Sequence, residues 1–219
     1  MTIDTERYIL EKGAELIRRN GFNNTGLSMI LKAAGVPRGS FYYYFKNKVD
    51  FGLRLIEYLH DSIKPVLYGF LTGECDTPPL ERLREFFAYF RRIFTNEEIM
   101  SGCPIGNISQ EMAASNPRFR EKLADVFDNI TNPVVICLKH AVEKGELSGE
   151  EDVLSLAKFI VNSWQGALIA LKVSGTAEPL MIFERFVFDE LLRFRATGVQ
   201  VPETERTNLM SWELTRTTP

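Results

Sequence analysis

Residues 26–48, GLSMILKAAGVPRGSFYYYFKNK, restrict what this chain can become more than any other stretch. Two short helical patterns meet at Ala34-Gly35-Val36-Pro37. Proline has no N–H and is tolerated only in a helix's first turn, so the second helix starts at Pro37 or Arg38. Phe41 and Phe45, four residues apart, share its inward face. That leaves Arg38, Ser40, Tyr42, Tyr43 and Tyr44 facing outward or sideways, with Lys46 and Lys48 just beyond. So short a helix carrying cations, hydroxyls and exposed rings fits the second helix of a helix-turn-helix, whose N-terminal residues meet base edges in the major groove.

The bland reading of FYYYF is a buried aromatic cluster, and the charge distribution weighs against it. The whole chain carries a net charge of −3, which argues against a nucleic-acid partner if taken as an average. The first 48 residues, however, hold eight basic and four acidic side chains, so the +4 there leaves −7 for the rest. Phosphate-binding charge is concentrated beside the candidate reading helix.

Upstream, Tyr8, Ile9, Gly13, Leu16 and Ile17 recur at helical spacing over 5–20, with Asp4 or Thr5 as cap and Asn20-Gly21 as terminator. Glycine in a helix costs about 1 kcal/mol against alanine, so Gly13 marks a close contact between helices. A turn-rich connector, 22–26, offers Thr25 or Gly26 as the cap of the next helix, 27–34.

The ordered set Gly21-Phe22, Thr25, Ala34-Gly35-Val36, Gly39, Phe41-Tyr42, Tyr44-Phe45 and Lys48 resembles the DNA-binding domain of the TetR family of bacterial helix-turn-helix repressors. The resemblance covers about residues 5–50. It implies that Arg38, Ser40 and Tyr43 read bases while Thr25, Tyr42, Tyr44 and Lys48 hold phosphates; Ser28, Gly39 and Lys46 complete the candidate DNA-binding set. The chain departs from the commoner family pattern at Tyr44, Pro37 and Gly13, and none of these removes a phosphate donor.

Further along, apolar periodicity predicts helices over 49–72, 80–95, from Pro104, over 117–144, 150–173 and 179–197. Pro65 should kink or thin the first of these. The expected architecture is all-α: a three-helix DNA-binding domain at 1–48, a larger helical effector-binding and dimerisation domain at 49–197, and a mobile tail at 198–219.

Within the larger domain, Cys103 stands one residue before Pro104, where a helix dipole favours thiolate and hence reactivity; the bland alternative is a small buried apolar group. The GCPIGN segment around it resembles one in a TetR branch that includes electrophile-sensing repressors. Asn107, Gln110, Trp164 and Gln165 are pocket candidates, because amides and an indole among apolar helices need partners. The stripe Phe86, Phe90, Phe94 reads chiefly as core, with Phe90 assigned to the pocket. The last two helices carry apolar stripes broader than one core face, which assigns Trp164, Leu168, Phe183, Phe186, Val187 and Phe194 to a dimer interface.

No nucleotide-binding glycine loop, GxSxG or HExxH occurs, and three scattered cysteines with two histidines offer neither a disulfide framework nor a metal site. The chain is therefore read as a non-enzyme without metal or cofactor. No apolar run of the roughly 20 residues needed to span a bilayer is evident, which points to the cytoplasm and no membrane partner. The function expected is a homodimeric repressor on double-stranded, pseudo-palindromic operator DNA, released by a small-molecule effector. The alternatives are a thiol sensor acting through Cys103 and an effector-independent helical interaction protein.

Overall fold

Polar groups at the helix ends explain where most elements begin and stop. The computed structural model describes residues 4–73, 75–96, 101–149 and 152–193, and every regular element among them is helical. The expected tail at 198–219 and Phe194 lie outside the described residues. Helix α1 (Thr5–Asn20) starts at Asp4, whose carboxylate accepts the Arg7 N–H at 3.3 Å. Helix α2 (Leu27–Ala34) leaves through Gly35, left-handed at φ +62°, with Gly35 N–H on Lys32 O and Val36 N–H on Leu31 O. Those paired bonds satisfy the last carbonyls and fix a sharp exit. Pro37 then caps α3 (Arg38–Tyr44).

At the start of α4 (Lys48–Leu71), the Asn47 side chain accepts the Asp50 N–H at 2.9 Å while the Asp50 carboxylate accepts the Lys46 N–H at 3.0 Å. This reciprocal pair works like a capping box and sets the joint between α3 and α4. The helix is unbroken through Pro65, where a kink or a thinning was expected: that residue sits on the exposed side, where a missing N–H leaves no buried carbonyl unpaired. Next come α5 (Pro79–Phe94), α6 (Pro104–Met112) and α7 (Pro117–Glu143), each with proline in its first turn, then α8 (Val153–Ser174) and α9 (Glu178–Glu184). The chain runs straight from α9 into a π-helical segment, Arg185–Leu191.

By length and composition α8 is apolar enough to cross a bilayer, a run the sequence reading did not register. Here it is a core helix of the body, with Ile160, Leu168 and Leu171 buried against its neighbours.

Two apolar cores are threaded by α4 and α7. One joins α1–α3 to the first half of α4, to Ile105, Ile108 and Met112 of α6, and to the start of α7. It crosses residue 48 without a gap: Phe22 meets Phe119 edge-on at 5.2 Å. The other joins the end of α4 to α5, the rest of α7, α8 and α9. Ile63, Cys103 and Ile130 pack against both cores.

Gly13 is the close contact its position implies. The Phe51 ring occupies the place a Cβ would take, and that ring in turn packs at 5.7 Å from Phe41 and 5.2 Å from Phe45, the two anchors of α3. Gly13→Ala should therefore overpack the joint and cost about 1–3 kcal/mol. A fall in thermal midpoint of roughly 2–4 °C per kcal/mol would register it, and an unchanged midpoint would contradict it.

Candidate nucleic-acid interface and effector cavity

Helix α3 hangs by its two phenylalanines and presents the rest to solvent. Phe41 and Phe45 are fully buried, whereas Tyr43 is 82% exposed. Arg38, Gly39, Tyr42 and Lys46 are also exposed, Ser28 stands out from the first turn of α2, and Ser40 and Tyr44 are half-buried. The Arg38 guanidinium lies 5.6 Å from the Tyr42 ring centroid and donates to its hydroxyl at 3.4 Å, so one turn of α3 couples a candidate base reader to a candidate phosphate donor.

Two phosphate candidates are placed differently from the expectation. Thr25 is completely buried, and its hydroxyl donates to Gly21 O at 2.7 Å. Its side chain closes the turn between α1 and α2 and cannot meet a phosphate in this conformation. Lys48 is half-buried: its ammonium donates to Asn23 O at 3.1 Å and lies 4.8 Å above the Phe22 ring. Burial pushes its pKa down, with the Glu111 carboxylate pulling the other way.

Glu111, near the end of α6, is a residue that sequence reasoning missed. Its two carboxylate oxygens accept the backbone N–H groups of Phe22 and Asn23 at 2.9 and 2.8 Å. A Cβ on Gly21, whose φ is +81°, would come within 2.8 Å of Glu111 Oε1, so the close approach needs glycine there. Through this carboxylate α6 grips the loop that leads into the reading head.

The other end of α6 meets a cavity of about 100 Å³ between α4, α5, α7 and α8. Cys103, Phe90, Trp164 and Gln165, four of the six candidates, line it. Asn107 and Gln110 do not. Asn107 instead donates to Ser101 O at 2.8 Å and accepts from Lys172 at 3.3 Å, tying α6 to the end of α8. Gln110 is exposed and donates back to Gly106 O at 3.3 Å. The remaining wall includes Leu59 and Ile63 of α4 and Val134 of α7, whose spacing in sequence is that of ordinary core. Phe86 and Phe94, read as core, also reach the cavity.

Cys103 caps α6, its sulfur accepting the Gly106 N–H at 3.4 Å. Burial nevertheless pushes the thiol above the ordinary cysteine value, outweighing the downward pull of that N–H and of the Gln165 amide. The helix-dipole argument gave the opposite sign because it left out desolvation. Cys137, buried and donating to Pro79 O at 3.1 Å, is pushed up to about 12 by the same cause.

The interface candidates split as well. Trp164 and Leu168 point into the core, at 7% and 1% exposure, and leave the outer face of α8 to Phe159 and Ile169. Phe183 and Val187 are buried at the floor of an apolar groove between α8 and α9, and Phe186 stands on its rim, 53% exposed. In and just after the π-helical segment, whose hydrogen bonds span five residues, Val187 and Leu192, five apart, are both buried together with Phe188.

An exposed short helix anchored on one core, gripped by a body that holds a cavity, is the arrangement of a helix-turn-helix DNA-binding regulator. Residues 9–54 match the family model described as bacterial regulatory proteins, tetR family, and residues 79–187 match the tetracyclin repressor-like C-terminal domain. The transcriptional regulator AcuR of Cereibacter sphaeroides is 36% identical over 81% of this chain and 80% of its own length. The transcriptional repressor DhaR of a Mycobacterium species is 30% identical over 85% and 91%. A crystal structure of a regulatory protein TetR from Rhodobacter sphaeroides superposes with a TM-score of 0.75 at 36% identity, covering 81% of this chain and 94% of that one. The chain belongs to the TetR family of bacterial transcriptional repressors, regulators that bind operator DNA and act as dimers.

Proposed function

We propose that this repressor holds a pseudo-palindromic operator as a homodimer and releases it when a small molecule occupies the cavity between α4 and α8. The observation that carries the reading is the span of α6. Its first turn, from Cys103 to Ile105, walls the cavity, and its last turn carries the carboxylate that grips Phe22 and Asn23. An occupant that moves α6 necessarily moves that grip, and by linkage it acts only as far as it prefers one arrangement over the other. Residues up to 48 would serve as the reading domain and those beyond as the receiver. Two copies of α3 in successive major grooves, about 34–36 Å apart, would give the operator its symmetry. Covalent sensing through Cys103 is the weaker reading, because burial keeps the thiol protonated.

Selection of bound sequences from random DNA at stated salt tests the DNA half of this reading. Arg38→Ala should relax preference at one position per half-site, at about 1–3 kcal/mol, while Lys46→Ala should weaken all sequences alike and flatten the salt slope by about one. Identical sequence profiles for the two variants would refute the division between base readers and phosphate holders.

A further inference from the structure

The cavity has a chemical character narrow enough to name the class of molecule it takes. Among the described residues lining it none carries a formal charge, and the side chains with a polar group are Cys103, Gln165 and, through its indole N–H, Trp164. The rest is hydrocarbon or ring: Phe87 lies 5.1 Å from Trp164 and Phe94 lies 6.4 Å from it. We propose that the occupant is an uncharged, compact, largely hydrocarbon molecule, ring-sized, whose single polar group meets the Gln165 amide beside Cys103. The inference rests on the effector reading above and specifies the ligand that reading requires.

Size and charge both follow from general physical chemistry. An apolar cavity of roughly 150 Å³ takes up benzene, so the volume of about 100 Å³ here sets a ring of about six atoms as the upper size, and a nucleotide-bearing or multi-ring ligand has no room in this conformation. An unpaired carboxylate or ammonium brought into such walls loses its hydration without gaining a counter-charge, at a cost of several kcal/mol. Rings edge-on to a bound ring add favourable contacts, and phenylalanine and tryptophan supply them here. Gln165 is held in place for its part: a Cβ on Gly106 would fall 2.7 Å from Gln165 Oε1, so the amide is packed against the first turn of α6. Any partner it takes from a ligand is thus transmitted to the helix that carries Glu111. The neutral state of the Cys103 thiol keeps that corner of the cavity uncharged.

The experiment uses the full-length chain with Trp212→Phe, which leaves Trp164 the sole indole of the two in the sequence. Fluorescence from that wall residue is titrated with phenol, toluene, benzoate and benzylammonium. Phenol and toluene should bind, with phenol at least about tenfold tighter than either ion. Gln165→Met should weaken phenol several-fold and leave toluene unchanged, while the thermal midpoint without ligand reports that the variant folds. Binding of benzoate or benzylammonium as tight as that of phenol, equal losses for phenol and toluene in Gln165→Met, or no response to either neutral ring up to its solubility would each overturn the proposal. Operator affinity is measured in the same samples. A neutral ring that binds without loosening the operator would defeat the effector reading and leave the ligand class standing.

Discussion

Glu111→Ala should abolish the influence of cavity occupancy on operator affinity while leaving the cavity itself intact. The carboxylate accepts two main-chain N–H groups, one part-buried and one exposed, and lies close enough to Lys48 to raise that amine's pKa against burial. Hydrogen bonds to a charged group contribute about 1.5–3 kcal/mol each when screened from solvent. With one of the pair exposed, about 1.5–3 kcal/mol for the set is the expected loss of stability. The loss should be local. Hydrogen exchange at Phe22 and Asn23 should speed up, because among the described residues Glu111 is the acceptor that protects both amides. Coupling between two sites in one protein is typically about 5–150-fold in affinity. In Glu111→Ala that factor should fall towards one, with phenol binding at Trp164 unchanged. Glu111→Gln keeps an acceptor and should retain part of the coupling. If the alanine variant responds to ligand as fully as the parent, α4 alone carries the signal. A double-mutant cycle with Lys48→Ala should give an interaction of about 0.5–3 kcal/mol, since the two side chains meet around Asn23.

How much of this could be read from the sequence depends on the range of the interaction. The reading head is specified by neighbours: Phe41 and Phe45 four residues apart, proline fixing a helix start, Gly35 fixing an exit, and Gly13 marking a contact without naming Phe51 as its partner. Glu111 was invisible because its partners lie 88 and 89 residues away and are backbone amides, which every sequence has. The cavity wall was only half legible for a different reason. Leu59, Ile63 and Val134 repeat as core residues do, and periodicity cannot tell a face that packs from a face that lines a void. Thr25 was misplaced because a hydroxyl after a turn has the same local signature whether it points out to phosphate or back to Gly21 O. Asn107 and Gln110 were read as amides in need of partners; Asn107 finds Ser101 O and Lys172, whereas Gln110 is exposed and turns back on Gly106 O. On α8 the apolar stripe is so broad that composition could not decide which edge faces in. Packing put Trp164 and Leu168 inside and left Phe159 and Ile169 out.

That last division carries the second large effect. Phe186→Glu should convert the protein to a folded monomer that no longer holds its operator. Phe186 is exposed at the rim of the groove between α8 and α9, beside Ile182, with Phe159 on the facing edge. Family members act as dimers, and in a twofold interface each patch meets its own copy, so one substitution places two carboxylates in the contact. Each loses hydration in an apolar seam, a cost that the Arg185 guanidinium, 4.8 Å from the Phe186 ring centroid, offsets only in part, and each removes a phenylalanine whose burial is worth about 1.5–3 kcal/mol. Because the side chain is more than half exposed within one protomer, the helical signal and thermal midpoint measured at low concentration should barely change. Sedimentation should show a single chain at concentrations where the parent is dimeric. Operator affinity should fall about 10²–10⁴-fold, the gain that linking two reading heads normally provides, while affinity for an isolated half-site should be unaffected. Leu168→Ala supplies the contrast. That residue is 1% exposed in the core of one protomer, so its truncation should cost about 2–5 kcal/mol of stability and leave sedimentation dimeric as long as the chain stays folded. If Phe186→Glu remained a dimer with full operator affinity while Leu168→Ala dissociated, the inner edge of α8 would be the interface and the outer edge would need another partner.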